Sequence, residues 1–401
     1  MKWEKVAIKD ICTGIYDGPH ATPPLSDTGA IFLGISNFNN GRLDFSDIRY
    51  ISEDDLPKWT KRVIPQKNDI VFSYEATLNL YAIIPEGFRG CLGRRMALLR
   101  VDETKADYKF LYYYFYSDAW RATVNENIVL GATVDRIPLI KFPDFPVELP
   151  PLETQHRIAD ILSAYDDLIE NNQKQIKLLE EAAQRLYKEW FVDLRFPGYE
   201  NTKIVDGVPE GWNICPFSSK VDIMSGGTPK TSIPDYYNGR IPFYTPKDSD
   251  GAFFAYKTQI NITEGGLKNC NSRLYPPKTV IITARGTVGK TTILAVPMAM
   301  NQSCYALKMK ENDAPYYLFF ALNNEIKALQ TMANGGVFNT IIGKTFDSIN
   351  IQIPKDPLIY AFEETVRPFM EQIKNKLQAN SKLVETRNRL LPKLMSGEVE
   401  V

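Results

Sequence analysis

The stretch ARGTVGKTT, residues 284–292, ends in Gly289, Lys290 and Thr291, the residue types that close a phosphate-binding loop. In such a loop the lysine reaches phosphate oxygens, the hydroxyl holds magnesium, and an opening glycine lets the backbone curl its N–H groups around the anion. Ala284 stands where that glycine belongs, and no second acidic motif follows a buried strand to hold the metal. A nucleotide-hydrolysing protein is therefore the rival reading rather than the leading one. Other reactive residue types are sparse. Five cysteines (Cys12, Cys91, Cys215, Cys270, Cys304) form no C-x-x-C, and His20 and His156 are the only histidines. That argues against a zinc site or a disulfide framework, and leaves His20 without a catalytic partner.

Charge offers a second chemistry. The net charge of the 401 residues is −1, yet the cations are unevenly placed. From Gly265 to Lys310 there is no acid, while Lys268, Arg273, Lys278, Arg285, Lys290, Lys308 and Lys310 are all present. From Gly87 to Val101 there is again no acid, with Arg89, Arg94, Arg95 and Arg100. Two such stretches point to two polyanion-binding faces. With 44% hydrophobic and 24% charged residues the chain reads as a globular protein of more than one domain. No apolar run approaches the ~20 residues of a membrane span, so the cytoplasm is the expected location.

The elements that must position these residues occur twice. Trp3 matches Trp212 and Gly18 matches Gly227 at an offset of 209; Gly29 matches Gly239 and Gly41 matches Gly251 at 210. DIVFSYEATLN (69–79) lies on TVIITARGTVG (279–289) at 210, which sets Glu75 opposite Arg285, and GATVDRI (131–137) lies on GGVFNTI (335–341) at 204. Short β-branched and aromatic runs such as DIVFSY, YAIIP and TVIITA, broken by Gly, Pro and Asn, predict two mixed α/β domains over 1–150 and 205–355. Long helices are predicted over 151–195 and 356–401, with 196–212 as linker.

Both helices carry a stripe spaced 4-3-4-3: Ile158, Leu162, Tyr165, Ile169, Asn172, Ile176, Leu179, Ala183, Leu186 and Trp190 in the first. Phe362, Val366, Phe369, Ile373, Lys376, Asn380, Leu383, Arg387, Leu390 and Leu394 repeat it 204 residues later, with Pro392 putting Leu394 in question. Such a seam needs a partner helix, and the nearest candidate is its own duplicate. An antiparallel pairing would bring Asn172 near Asn380 or Lys376. Acids such as Glu153, Asp160, Asp166, Asp167, Glu170, Glu180 and Glu181 suit the helices to separating the domains and to docking another protein, not to DNA.

PLETQHRIADILSAYDDLIENNQKQI (151–176), EWFVDLRFPG (189–198), RNRLLPKLMSGEV (387–399), IYDGPHATP (15–23) and ARGTVGK (284–290), in that duplicated layout, resemble the specificity subunits of Type I restriction-modification systems. The resemblance covers the whole chain. It implies an α+β fold of two target-recognition domains in pseudo-two-fold tandem repeat, each followed by a long helix, the helices packed as an antiparallel coiled coil. It further implies a non-catalytic, sequence-specific subunit that binds a bipartite double-stranded DNA target. Modification (methyltransferase) and restriction (motor and nuclease) subunits would be its partners, and S-adenosylmethionine, ATP and magnesium would belong to them. A stand-alone DNA-binding regulator is the remaining alternative.

On that basis Arg42, Lys61, Arg62, Arg89, Arg94, Arg95 and Arg136 are the expected phosphate anchors of the first domain, since Glu75 denies it the cation of the second. Lys230, Lys247, Arg285, Lys290, Thr291 and Lys344 are those of the second. His20, Thr22, Tyr74, Thr228, Tyr244 and Asn339, polar residues beside them, are expected nearer the base edges.

Overall fold

A computed structural model describes residues 3–131, 134–332 and 341–401. The chain forms two compact units: Met1–Ile169 with Leu383–Val401, and Glu170–Lys382. Each unit therefore holds one mixed α/β domain and part of both long helices. No helix among the described residues is long and apolar enough to cross a membrane.

In the first unit the apolar runs become a four-stranded antiparallel sheet in the order Cys12–Asp17, Met96–Val101, Ile70–Ser73, Tyr81–Ile83. Ile70–Ser73 is buried along its whole length, which explains why its sequence is continuously apolar rather than alternating. Ala30–Leu33 pairs antiparallel with Arg49–Ile51 and parallel with Gly90–Leu92, and Glu4–Ala7 pairs with Pro146–Leu149. The aromatic helix Tyr108–Tyr114 starts at Asp107, whose carboxylate accepts from the Phe110 amide at 2.7 Å. Its buried rings meet Trp120, which donates from Nε1 to the Tyr81 hydroxyl at 2.8 Å.

The second unit has the same strand order, Val221–Ser225, Cys304–Met309, Val280–Thr283, Thr291–Leu294, with Phe254–Ala255 added at the edge. Tyr237–Tyr244 pairs antiparallel with Asn261–Ile262 and parallel with Ala299–Met300, and Asn213–Pro216 pairs with Asn350–Ile353. Strand register refines one expected match: Asp17 pairs with Ala97 and Ser225 with Tyr305, so Gly18 corresponds to Gly226 and not to Gly227.

The long helices run Leu152–Tyr187, continued by a π turn at Lys188–Val192, and Asp356–Met395. In the second unit Ile176, Ala183, Tyr187 and Trp190 share a core with Phe362, Val366 and Ile373, and the Tyr187 and Phe362 rings lie 5.8 Å apart. Leu179, Leu186 and Phe369 pack against that core from half-buried positions. Asn172 donates from Nδ2 to Asn380 Oδ1 at 2.9 Å, and Lys376 Nζ donates to Asn172 Oδ1 at 3.4 Å. In the first unit Ile158 and Leu162 share a core with Leu394, and Leu390 packs against it. The doubt raised by Pro392 is thus removed: the helix continues through it near its end, and Leu394 is fully buried. Ile169 is buried and Leu383 half-buried. Asp166, buried on the first helix, accepts from the Tyr113 hydroxyl at 2.6 Å and from Arg387 of the second.

Glu363 is buried, and its carboxyl accepts from the Tyr317 amide at 2.7 Å at the start of the helix Pro315–Met332. Burial, only partly offset by that hydrogen bond, pushes its pKa up to about 7. The folded protein therefore keeps a proton that the unfolded chain releases near pH 4.5, so this group's contribution is complete below about pH 4.5 and is lost as pH rises through 7. Glu363→Gln keeps an acceptor without the titration. Relative to the parent it should gain stability between pH 4.5 and 7, by up to roughly 3 kcal/mol. Denaturant unfolding at pH 5 and pH 8 measures this, and a pH-independent difference would count against it.

Candidate nucleic-acid interface

The GKT stretch lies in a hairpin. Residues 284–290 connect the antiparallel strands Val280–Thr283 and Thr291–Leu294, so Gly-Lys-Thr enters a strand where a phosphate loop would enter a helix. Gly286 (φ 82°) and Gly289 (φ 83°) adopt left-handed backbone that favours glycine, and the amides at both ends of the loop are already bonded within the protein. Gly289 N donates to Thr283 O at 2.9 Å, Lys290 N to Thr283 Oγ1 at 3.1 Å, and Ala284 N to Ser303 O at 2.7 Å. Thr291 is buried and its hydroxyl donates to Asn323 Oδ1 at 2.8 Å. It can serve neither a magnesium ion nor a phosphate, which corrects its expected role as an anchor and removes the geometry a nucleotide site would need.

The same hairpin occurs 210 residues earlier. Left-handed backbone recurs at Ala76 (φ 70°) and Asn79 (φ 61°), the positions of Gly286 and Gly289. The hydroxyls of Ser73 and Thr283 donate to the carbonyls of Thr77 and Thr287. Tyr74 N donates to Arg95 O at 3.1 Å as Ala284 N does to Ser303 O. Ile137 N donates to Tyr74 O at 2.8 Å, and Ile341 N to Ala284 O at 2.9 Å. In each unit the hairpin loop is therefore bonded to the turn before the central strand and to a later loop. Gly18 N donates to Met96 O at 2.7 Å, adding the segment that carries His20 and Thr22; Thr287 Oγ1 donates to Pro246 O at 3.3 Å, adding the segment of Lys247.

Most expected contact residues are exposed, on these loops or on segments near them: His20, Thr22, Lys61, Arg62, Arg94 and Arg136 in the first unit, Thr228, Lys230, Lys247, Arg285, Lys290 and, in the short helix Gly343–Ser348, Lys344 in the second. Two expected base readers are not. Tyr74 and Tyr244 are 6% and 1% exposed, within hydrophobic cores that raise both phenol pKa values by desolvation. Tyr74 follows a strand buried along its whole length, and Tyr244 ends a strand beside the buried Phe243. Asn339 lies outside the described residues. Arg42 is drawn to the long helix, donating from Nη2 to Asp166 O at 2.6 Å.

Several first-unit cations are already neutralised. Arg89 is held by Glu53, Arg95 Nε donates to Glu75 at 3.0 Å, and Asp17 takes Arg62 at 2.5 Å, with His20 Nε2 2.9 Å from the same carboxylate oxygen. Asp17, Glu53 and Glu75 were not legible as site residues, because strand register and loop placement, not spacing, bring them to their arginines. Lys61, Arg94 and Arg136, and in the second unit Lys230, Lys247, Arg285, Lys290 and Lys344, enter no ion pair among the described residues. Gln302, also missed, accepts from the Thr228 hydroxyl.

The sequence matches the family described as the Type I restriction modification DNA specificity domain over residues 1–181 and 209–379. The chain belongs to that family. Its function is DNA specificity within Type I restriction-modification. It is 26% identical over 369 residues to the MjaIX specificity subunit of a Type I restriction enzyme from Methanocaldococcus jannaschii, covering 88% of this chain and 82% of that one. The HindI specificity subunit from Haemophilus influenzae is 25% identical over 315 residues, 63% of this chain and 69% of the relative. A crystal structure of a Type I restriction-modification S subunit from M. genitalium shares the fold, with a TM-score of 0.60 at 17% identity over 98% of this chain and 96% of that one.

If unpaired loop cations hold the phosphate backbone, Lys290→Ala and Arg285→Ala should each weaken binding to duplexes of any sequence. Each should also lower the salt-dependence slope by roughly 1. Arg89→Ala, whose cation is already held by Glu53, should lose less. Binding titrations at several salt concentrations measure these slopes, and a slope unchanged in Lys290→Ala removes that residue as an anchor.

Proposed function

We propose that the two domains each read one half of a bipartite double-stranded DNA target, and that the chain itself performs no chemistry. The observation that carries this reading is the duplicated loop cluster, with its unpaired exposed cations in both units, in a chain whose family supplies DNA specificity. Phosphate contacts fix the position of each domain on the duplex, and neighbouring polar side chains read base edges. Lys61, Arg94 and Arg136 are the proposed anchors of the first domain, and Lys230, Lys247, Arg285, Lys290 and Lys344 those of the second. His20, Thr22 and Thr228 remain proposed base-side contacts.

In the same reading the long helices pack as one antiparallel coiled coil related by an approximate two-fold axis, and separate the two readers. Contacts inside each unit support it: as the first helix advances from Asp166 to Asn172 to Trp190, its partner on the second falls from Arg387 to Asn380 to Phe362. The polar Asn172–Asn380 pair fixes the register, because a slipped helix would bury one amide without the other. Modification subunits dock on this scaffold and methylate DNA with S-adenosylmethionine, and restriction subunits add ATP-driven cleavage.

Exchange of residues 1–150 for those of a relative with another target should change one half of the methylated sequence and leave the other intact, as read by methylome mapping in cells that carry the partner subunits. A change in both halves would overturn independent reading. The helices make a separate prediction. Matched seven-residue insertions after Ile176 and after Lys376 keep the seam in phase and add ~10 Å at 1.5 Å per residue. The gap between half-sites should grow by about three base pairs at ~3.4 Å each, with the half-site sequences unchanged. The original gap in an active insertion variant would show that the helices do not measure it.

A further inference from the structure

We propose that Arg95 reads a guanine in the half-site of the first domain and that Glu75 is the residue that positions it. The inference rests on the DNA-recognition reading above and asks which arginine is built for a base rather than a phosphate.

Bidentate recognition of guanine needs two parallel N–H donors of one guanidinium directed at O6 and N7, with the plane fixed in advance. Other first-unit arginines are held outside the turn that the hairpin loop bonds. Arg62 spends Nη1 on Asp17 and on the Gly18 carbonyl at 3.3 Å; Arg89 and Arg100 spend Nε and Nη2 on Glu53 and Asp69; Arg42 spends Nη2 on the Asp166 carbonyl. Arg94 and Arg136 have free forks but no side-chain partner among the described residues to orient them. Arg95 combines both requirements on that turn itself, where the Tyr74 amide bonds its carbonyl. Its Nε donates to Glu75 Oε1 at 3.0 Å, while Nη1 and Nη2 have no partner among the described residues.

The backbone beneath this pair is held under strain. Arg95 has φ 74° and Ala76, next to Glu75, has φ 70°, left-handed values that L-residues rarely adopt. The two loops are tied where they face each other by Tyr74 N donating to Arg95 O at 3.1 Å. In the second unit the corresponding positions are Arg285 and Ser303, so neither the carboxylate nor its arginine is present there.

Charge decides between the two kinds of contact. A phosphate rewards net positive charge, and the Glu75–Arg95 pair has none; its carboxylate would repel the backbone about as strongly as the guanidinium attracts it. A base edge is neutral and rewards donor geometry, which the carboxylate improves by locking the guanidinium plane.

The test is selection from a random duplex library by the full chain, sequenced at two salt concentrations. If the parent chain selects no motif, the DNA-recognition reading itself has failed, whatever Arg95 does. Given a parent bipartite motif, Arg95→Lys should lose roughly 10- to 100-fold discrimination at one G·C pair of one half-site, with every other position and the affinity for unselected duplex unchanged. Glu75→Gln should weaken discrimination at one G·C pair while raising affinity for unselected duplex, because a negative charge leaves. If Arg95→Lys does not fold, by thermal melting, Glu75→Gln decides alone. The proposal is overturned if Arg95→Lys selects the parent motif, or if it binds all sequences more weakly with every base preference unchanged. It is equally overturned if Glu75→Gln leaves every base preference intact.

Discussion

A backbone amide or carbonyl shut away from water has to find a partner, and in this chain one residue per unit meets that demand in a way that organises everything around it. Tyr74 in the first unit and Ala284 in the second are both buried, and each gives its N–H to the turn before the central strand and its C=O to a later loop. Three loops distant in sequence are thereby fixed to one another at the end of a rigid sheet. The polar and basic side chains they carry inherit that order without needing bonds of their own. This is the arrangement in which loops can vary in composition while their framework stays constant. The second residue of the hairpin loop is acidic in one copy and basic in the other, on the same hydrogen bonds.

The helices show the same logic of common frame and differing content. Asp166 and Arg387 meet inside the first unit, joined by the hydroxyl of Tyr113. Displaced by 204 residues the same positions are Met370 and Ala183, fully buried in the apolar core of the second unit. Removing one member of a buried ion pair leaves an uncompensated charge, a loss of about 3–5 kcal/mol, whereas an apolar pair at the same place carries no such penalty. The two ends of the seam are therefore not interchangeable: a helix segment ending in Arg387 suits the acid of the first unit and would bury a bare charge beside Met370.

Much of the fold could be read from residue order because periodic signals carry it. The 4-3 stripe gave both long helices, and the runs around Ile70 and Val280 became central strands. The misreadings have local physical causes. Tyr74 and Tyr244 look like polar loop residues, but each stands at the end of a buried strand segment and its ring joins a hydrophobic core. Thr291 completes a phosphate-loop pattern in sequence, yet the strand it opens turns its hydroxyl toward Asn323. The carboxylates that capture Arg62, Arg89 and Arg95 lie 20 to 45 residues from them, and no spacing rule connects residues joined only by sheet register. Pro392 put the place of Leu394 on the stripe in question, but so near the last turn it removes a single hydrogen bond while Leu394 remains in the core.

The ion pairs also explain how a chain of net charge −1 can present itself to a polyanion. In the first unit, acids on the loops or beside them cancel Arg62, Arg89 and Arg95, leaving Lys61, Arg94 and Arg136 as its uncompensated candidates. In the second unit the basic stretch from Gly265 to Lys310 meets no acid of its own, and its hairpin carries Arg285 and Lys290 without counter-ions among the described residues. Counter-ion release scales with the number of phosphates neutralised, and a cation already paired with a carboxylate releases none unless that pair is broken first. Under the proposed function the sequence-independent, salt-sensitive share of binding therefore falls mainly on the second unit. The first unit, with its cations immobilised by carboxylates, contributes less attraction and more geometric demand. Two domains built on one framework thus divide the work of binding by where their acids are placed.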